Sequence, residues 1–203
     1  ARKLGMDMEK FEQDLRKQET KELVDADVIL GGAISARGSP ILYVNGRKMA
    51  GNSLIKDQLE GVVKKALEEA TAIAASRNIN GRQYYNELIS RGEFSIPLDK
   101  TIYSFDVSGS ATLGPDDALI SLVLFSDFQC DYCFSLVRPV QELADFFKGN
   151  MQVVFKHYPL RSHTHARSAS NASLCANEQG HFWEYHEHLF VVRSGFSKEL
   201  YIE

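Results

Sequence analysis

The sequence predicts an α/β fold, and two patterns predict it. Between Leu119 and Tyr158 an apolar run, a helical pattern and a second apolar run follow one another as strand, helix and strand. Between Ile41 and Ala75 a strand, a hairpin signal and a long amphipathic helix appear in turn. The composition agrees: 203 residues, 44% apolar and 25% charged, suit one generous domain or two small ones with a buried core. Disordered and collagen-like chains are excluded. The longest apolar run, Ala118 to Phe125, is interrupted by Ser121 and falls far short of the ~18–20 residues of a membrane span. A net charge of −4 with no basic stripe argues against nucleic acid as a partner. Three cysteines are too few for a disulfide-stapled scaffold. The opening residues, Ala1 to Leu4, carry neither an initiator Met nor the apolar core of a signal peptide, so they suit a processed chain or a fragment of a longer one.

The elements follow in order. Phe11, Leu15, Leu23, Ala26, Ile29 and Leu30 give residues 1–36 a helical spacing, which Gly31-Gly32 interrupts. Gly38-Ser39-Pro40 marks a turn. The strand Ile41–Val44 ends in Asn45-Gly46, the strongest short hairpin signal, with Lys48–Ala50 expected as its return strand. A helix from Ser53, its expected N-cap, to about Ala75 presents Ile55, Leu59, Val62, Val63, Ala66, Leu67, Ala70 and Ile73 on one face. Residues 77–118 are punctuated by Gly and Pro and read as a connector with a helical patch, Tyr84–Ile89, and an alternating strand, Ile102–Val107. Strand Leu119–Phe125, helix Asp131–Phe147 and strand Met151–Tyr158 follow. Two helices, about His165–Gln179 and Phe182–Val192, close the chain.

The chemistry concentrates in Cys130-Asp-Tyr-Cys133. Cys130 falls where a buried strand yields to a helix, so its sulfur faces the unpaired N–H groups of the first turn, which stabilise a thiolate. Cys133 lies one turn further in, within reach of a mixed disulfide on Cys130. That spacing suits thiol–disulfide exchange. A half zinc site or two structural thiols are the plainer readings, although zinc would need two more ligands and no second Cys pair exists.

Three segments, Val123 to Cys133, Val154 to Leu160 and Cys175 to His186, resemble the DsbA-like thiol–disulfide oxidoreductases of the thioredoxin fold. Gly38 to Gly46 is similar to that family's cis-proline loop and hairpin. The resemblance implies a thioredoxin fold with a helical insert and a redox-active Cys130–Cys133 disulfide in place of any cofactor. It also implies a cis Pro40, with Ser39 as the residue whose backbone meets substrate. Tyr132, between the cysteines, would be exposed and offer an apolar contact to an unfolded chain. The halves stand in permuted order, however, with the cis-proline half before the CxxC half. Residues 1–76 read as the back half of such a domain, 77–118 as a connector and 119–203 as the front half. Because Ser197 to Glu203 would read smoothly into Ala1 to Asp7, a fragment spanning two tandem repeats is the simplest account and circular permutation the second. The connector is long enough for closure within one chain, giving a monomer, or for a domain-swapped dimer.

Two departures from the family stand out. Leu124 occupies the position where the family carries a buried carboxylate for the resolving thiol's proton, leaving Asp127 as the nearest candidate for proton transfer; a solvated turn or cap role suits Asp127 as well. Asp131 follows the nucleophile, and its charge opposes a thiolate. Cys175, with Ala169, Ala172 and Ala176, reads as a buried inert thiol. His163, His165, His181, His186 and His188 read as scattered surface residues rather than metal ligands, and Phe182, Trp183 and Tyr185 as core of the insert. The resemblance implies cysteine-containing protein substrates, a membrane quinone-linked reoxidase and a periplasmic or other extracytoplasmic bacterial location. The competing function is a redox-weak module that binds polypeptides around Pro40.

Overall fold

Chain contacts gather into two units, each built from separate stretches of the sequence. The first comprises Ala1–Pro40, Phe125–Val137 and Lys156–Glu203; the second, Ile41–Leu124 and Arg138–Phe155. The structure, a computed structural model, describes residues 1–36, 38–49, 56–84, 103, 106–193 and 195–202. No helix among them is long and apolar enough to cross a membrane.

The second unit holds most of a five-stranded sheet of order β2-β1-β4-β5-β3. Its strands are β1 (Ile41–Val44), β2 (Arg47–Lys48), β3 (Thr112–Leu113), β4 (Ile120–Ser126) and β5 (Met151–His157). Asn45 and Gly46 both adopt positive φ, 48° and 75°, the turn that matches the twist of a two-residue hairpin. Asn45 does more than turn the chain: its Oδ1 accepts the Ser121 N–H at 2.7 Å and its Nδ2 donates to the Leu119 carbonyl at 3.1 Å. The return strand is Arg47–Lys48, one residue earlier than the sequence suggested, with Tyr43 opposite Lys48 and Val44 opposite Arg47. Helix α3 (Lys56–Arg77) buries Leu59, Val63, Ala66 and Ala70, at the three- and four-residue spacing of one helical face. The expected cap Ser53 lies outside the described residues, as do Ala50, Ile55, all but Tyr84 of the Tyr84–Ile89 patch, and most of the Ile102–Val107 strand; Asp106 and Val107 are not in a strand. The two-residue strand β3, which no hydrophobic pattern announces, pairs antiparallel with β5. Gly114 follows it at φ 100°, where a Cβ would stand 2.3 Å from the Met151 carbonyl oxygen, so glycine is required there.

The first unit is helical. It contains α1 (Met8–Arg16), α2 (Gln18–Ala33), α5 (Ala166–Asn177), α6 (Phe182–Val191) and α7 (Lys198–Ile202), together with the first residues of α4 (Asp131–Phe146). Ala166, Ala169, Ala172 and Ala176 are buried along α5, and α1, α2 and α6 pack closely against this small-residue helix. Phe11 meets Tyr185 edge to face at 5.8 Å. The buried face of α2 corrects the sequence reading. Thr20, Val24, Asp27 and Gly31 turn inward, whereas Leu23 and Ile29 are 46% and 71% exposed. Gly31 sits there because a Cβ would lie 2.6 Å from the Tyr158 ring.

Candidate active site at the Cys130–Cys133 turn

Strand β4 ends at Ser126, and the chain turns over Asp127, Phe128 and Gln129 before α4 begins. The Asp127 side chain makes this turn, its Oδ1 accepting the Gln129 N–H at 2.7 Å while its carbonyl accepts the Cys130 N–H at 3.1 Å. Phe128 anchors the loop, fully buried against Phe190 and His186 at centroid distances of 5.1 and 5.7 Å. Cys130 therefore stands directly before the first turn of α4, with its sulfur among unpaired helical N–H groups.

The Ser39–Pro40 peptide bond is cis, and Ser39 touches both sulfurs. The Cys130 thiol donates to the Ser39 carbonyl at 3.3 Å, and the Ser39 hydroxyl lies 2.8 Å from Cys133 Sγ. Residues some ninety positions apart in the chain thus share one site. Ser39 and Pro40 are half-buried, Cys130 and Cys133 are buried, and Tyr132 between them is 77% exposed.

The two thiols are driven in opposite directions. Cys130 is pulled down to about 6: the hydrogen bond from Cys133 contributes most, and the N–H groups of Cys133 and Tyr132 add to it, against burial and the Asp127 charge. Cys133 is pushed up, by burial first and then by its role as donor to Cys130, with the Ser126 and Ser39 hydroxyls opposing. An acidic sulfur at the helix end beside a protonated one a turn inside it is an arrangement suited to thiol–disulfide exchange.

The surrounding charges differ from the sequence reading. Asp127, a candidate for a solvated turn residue, is fully buried instead; its Oδ2 accepts the Leu160 N–H at 2.8 Å and lies 2.7 Å from His163 Nδ1. Asp131 points to solvent and pairs with Arg193, whose Nε donates to it at 3.0 Å and whose guanidinium covers the Phe134 ring at 4.0 Å. The carboxylate that opposes the Cys130 thiolate is Asp127.

Sequence reasoning missed a buried ion pair in this unit. Lys156 Nζ lies 2.9 Å from Asp27 Oδ1, and Asp27 Oδ2 accepts the His157 N–H at 2.8 Å. Burial pushes the Asp27 carboxyl up; Lys156 and the His157 N–H hold it back. The signal was a lysine inside the apolar strand Met151–His157, which demands an acidic partner. His186 was also misread as a surface residue. It is buried, with burial lowering it to about 3, among Phe128, Phe182 and Phe190. Cys175 is buried, and Phe182 and Tyr185 lie in the core with Trp183 half-buried. No cluster of metal-ligating side chains occurs among the described residues.

Residues 106–195 match the family model described as Thioredoxin. The chain has a thioredoxin fold. Among curated proteins, this thioredoxin-fold chain is 34% identical over 93 residues to a Na(+)/H(+) antiporter NhaA 1 of Mycolicibacterium gilvum, covering 45% of this chain and 15% of that protein. It is 39% identical over 79 residues to the NhaA 1 antiporter of Salinispora arenicola, covering 38% and 12%. The Na(+)/H(+) antiporter NhaA of Herminiimonas arsenicoxydans is 33% identical over 86 residues, 42% of this chain and 14% of the antiporter. The chain thus spans only 12–15% of the length of these relatives. No solved structure matches it.

Proposed function

We propose that this thioredoxin-fold chain is a DsbA-like thiol–disulfide oxidoreductase that exchanges disulfides with cysteine-containing proteins. The observation that carries the reading is the opposed pair of thiols meeting Ser39: Cys130 at about 6, Cys133 pushed up, both in contact with one residue of the cis-proline loop. In the oxidising direction a substrate thiolate attacks Cys130 Sγ of the Cys130–Cys133 disulfide. The S–S bond breaks, and its electron pair leaves on Cys133, which takes a proton. A second substrate thiolate then attacks the mixed disulfide and releases Cys130 as a thiolate, a good leaving group because it is acidic. Two electrons pass from the substrate to the pair. Water supplies the proton, relayed through the Ser39 hydroxyl at the Cys133 sulfur, and Pro40 with Tyr132 steadies the substrate chain.

The same reading assigns an extracytoplasmic location and reoxidation by a membrane quinone-linked partner. Similarity to bacterial proteins named as antiporters is compatible with a membrane-associated setting but carries no transport function to this chain. It also treats the chain as a permuted arrangement in which the halves 1–76 and 119–203 close on each other. The alternative, a polypeptide-binding module with idle thiols, draws on Leu124 where a carboxylate is expected. Reduction of insulin by dithiothreitol separates the two. Acceleration by the protein and its loss in Cys130→Ser support exchange, whereas no acceleration with peptide binding retained supports the module.

A further inference from the structure

Asp127 is fully buried three residues before Cys130, and two backbone N–H groups, of Gln129 and Leu160, donate to its two oxygens at 2.7 and 2.8 Å. An N–H group can only donate, so Asp127 accepts at both oxygens. His163 Nδ1 shares Oδ2 at 2.7 Å, and the His163 side chain remains 28% exposed. One buried carboxylate beside the nucleophile is therefore capped by one imidazole that solvent reaches. A buried negative charge acts on a neighbouring thiol through a low dielectric and disfavours its thiolate; the group that caps the charge decides how strongly.

We infer that His163 is a positioning residue that sets the acidity of the Cys130 thiol by acting through Asp127. The inference deepens the exchange reading and rests on it. The groups facing Cys130 are Cys133 on its own helix, Ser39 from the cis-proline loop and Asp127 from the turn. Those facing Asp127 are His163 and the N–H groups of Gln129 and Leu160. His163 is the one side chain among these, and its ring shares Oδ2 with the Leu160 N–H. An imidazole N–H donated to that oxygen draws the carboxylate charge toward the ring and weakens its opposition to the Cys130 thiolate. Without that donor the buried charge acts on Cys130 more strongly.

The test is the pH dependence of iodoacetamide alkylation at Cys130 of the reduced protein, read by peptide mass. His163→Leu removes the imidazole from Asp127, and the half-maximal pH should rise by roughly half a unit to one unit, a ~2- to 5-fold slower reaction at pH 6. His163→Asn restores an N–H donor and should recover part of the shift. Asp127→Asn should move the profile the other way, and adding His163→Leu to it should change nothing further. Profiles unchanged in both His163 variants overturn the inference. So does an equal His163→Leu shift with and without the Asp127 charge, because that marks a structural effect. Insulin reduction by the unaltered protein is scored separately: its absence, with the alkylation shifts intact, removes the exchange reading and leaves the His163 linkage standing.

Discussion

Cys130 and Cys175 are both buried cysteines of the helical unit, yet their thiols differ by some six pKa units in opposite senses. Cys130 falls to about 6, chiefly through the Cys133 hydrogen bond and then the N–H groups of the first turn of α4. Cys175 rises to about 12, chiefly through burial. It sits mid-helix, where its thiol donates to the Asn171 carbonyl at 3.2 Å and finds no row of free N–H groups. Burial alone therefore makes a cysteine inert; the Cys133 thiol and the free N–H groups at the start of α4 make a buried one reactive. The donors that face the sulfur decide the sign.

The comparison breaks first on activity. Cys130→Ser should reduce catalysed insulin reduction to background, a fall of about 1,000-fold or more, whereas Cys175→Ala should stay within about twofold. Equal losses would erase the distinction. Next comes reactivity: at pH 7 Cys130 should alkylate at least ~100-fold faster than Cys175, with Cys133 slow as well. Peptide mapping after brief labelling reads this, and uniform labelling contradicts it. A smaller effect is expected on stability. A thiol whose folded pKa is depressed contributes stability that is present above its unfolded pKa, near 8.5, and is lost as pH falls through its folded value. For Cys130 that window runs from about 6 to ~8.5, so the urea midpoint of the reduced protein should climb across it more than that of Cys130→Ser. The smallest effect concerns Asp131→Asn. Because Asp131 is exposed and paired with Arg193, this change should alter Cys130 reactivity by less than about twofold, and a larger change would return the opposing charge from Asp127 to Asp131.

The sequence was most legible where the signal is local. The Asn45-Gly46 hairpin, the α3 face through Leu59, Val63, Ala66 and Ala70, and the β4-α4-β5 order around the cysteines each follow from a few neighbouring residues. Illegibility began where a residue's partner lies far along the chain. The buried face of α2 carries an aspartate and a glycine, because Asp27 answers Lys156 and Gly31 admits Tyr158; hydrophobic periodicity therefore pointed to Leu23 and Ile29, which face solvent. Asp127 was ambiguous for the same reason, since the groups that satisfy it, the Leu160 N–H and His163, come from beyond β5. His186 looked like a surface histidine although Phe182 and Phe190 stand four residues to either side on α6, because the ring that completes its pocket, Phe128, lies far earlier in the chain.

Trapping the mixed disulfide tests the central claim most directly. Reduced Cys133→Ser protein is incubated near neutral pH with a short peptide disulfide. The Cys130 thiolate should attack one peptide sulfur and release the other half as a free thiol, and no resolving sulfur remains to reverse the bond. The account predicts one peptide adduct per chain, mapped by mass to Cys130 and absent from Cys175. An adduct on Cys175, or none at Cys130 in a folded protein, would contradict it.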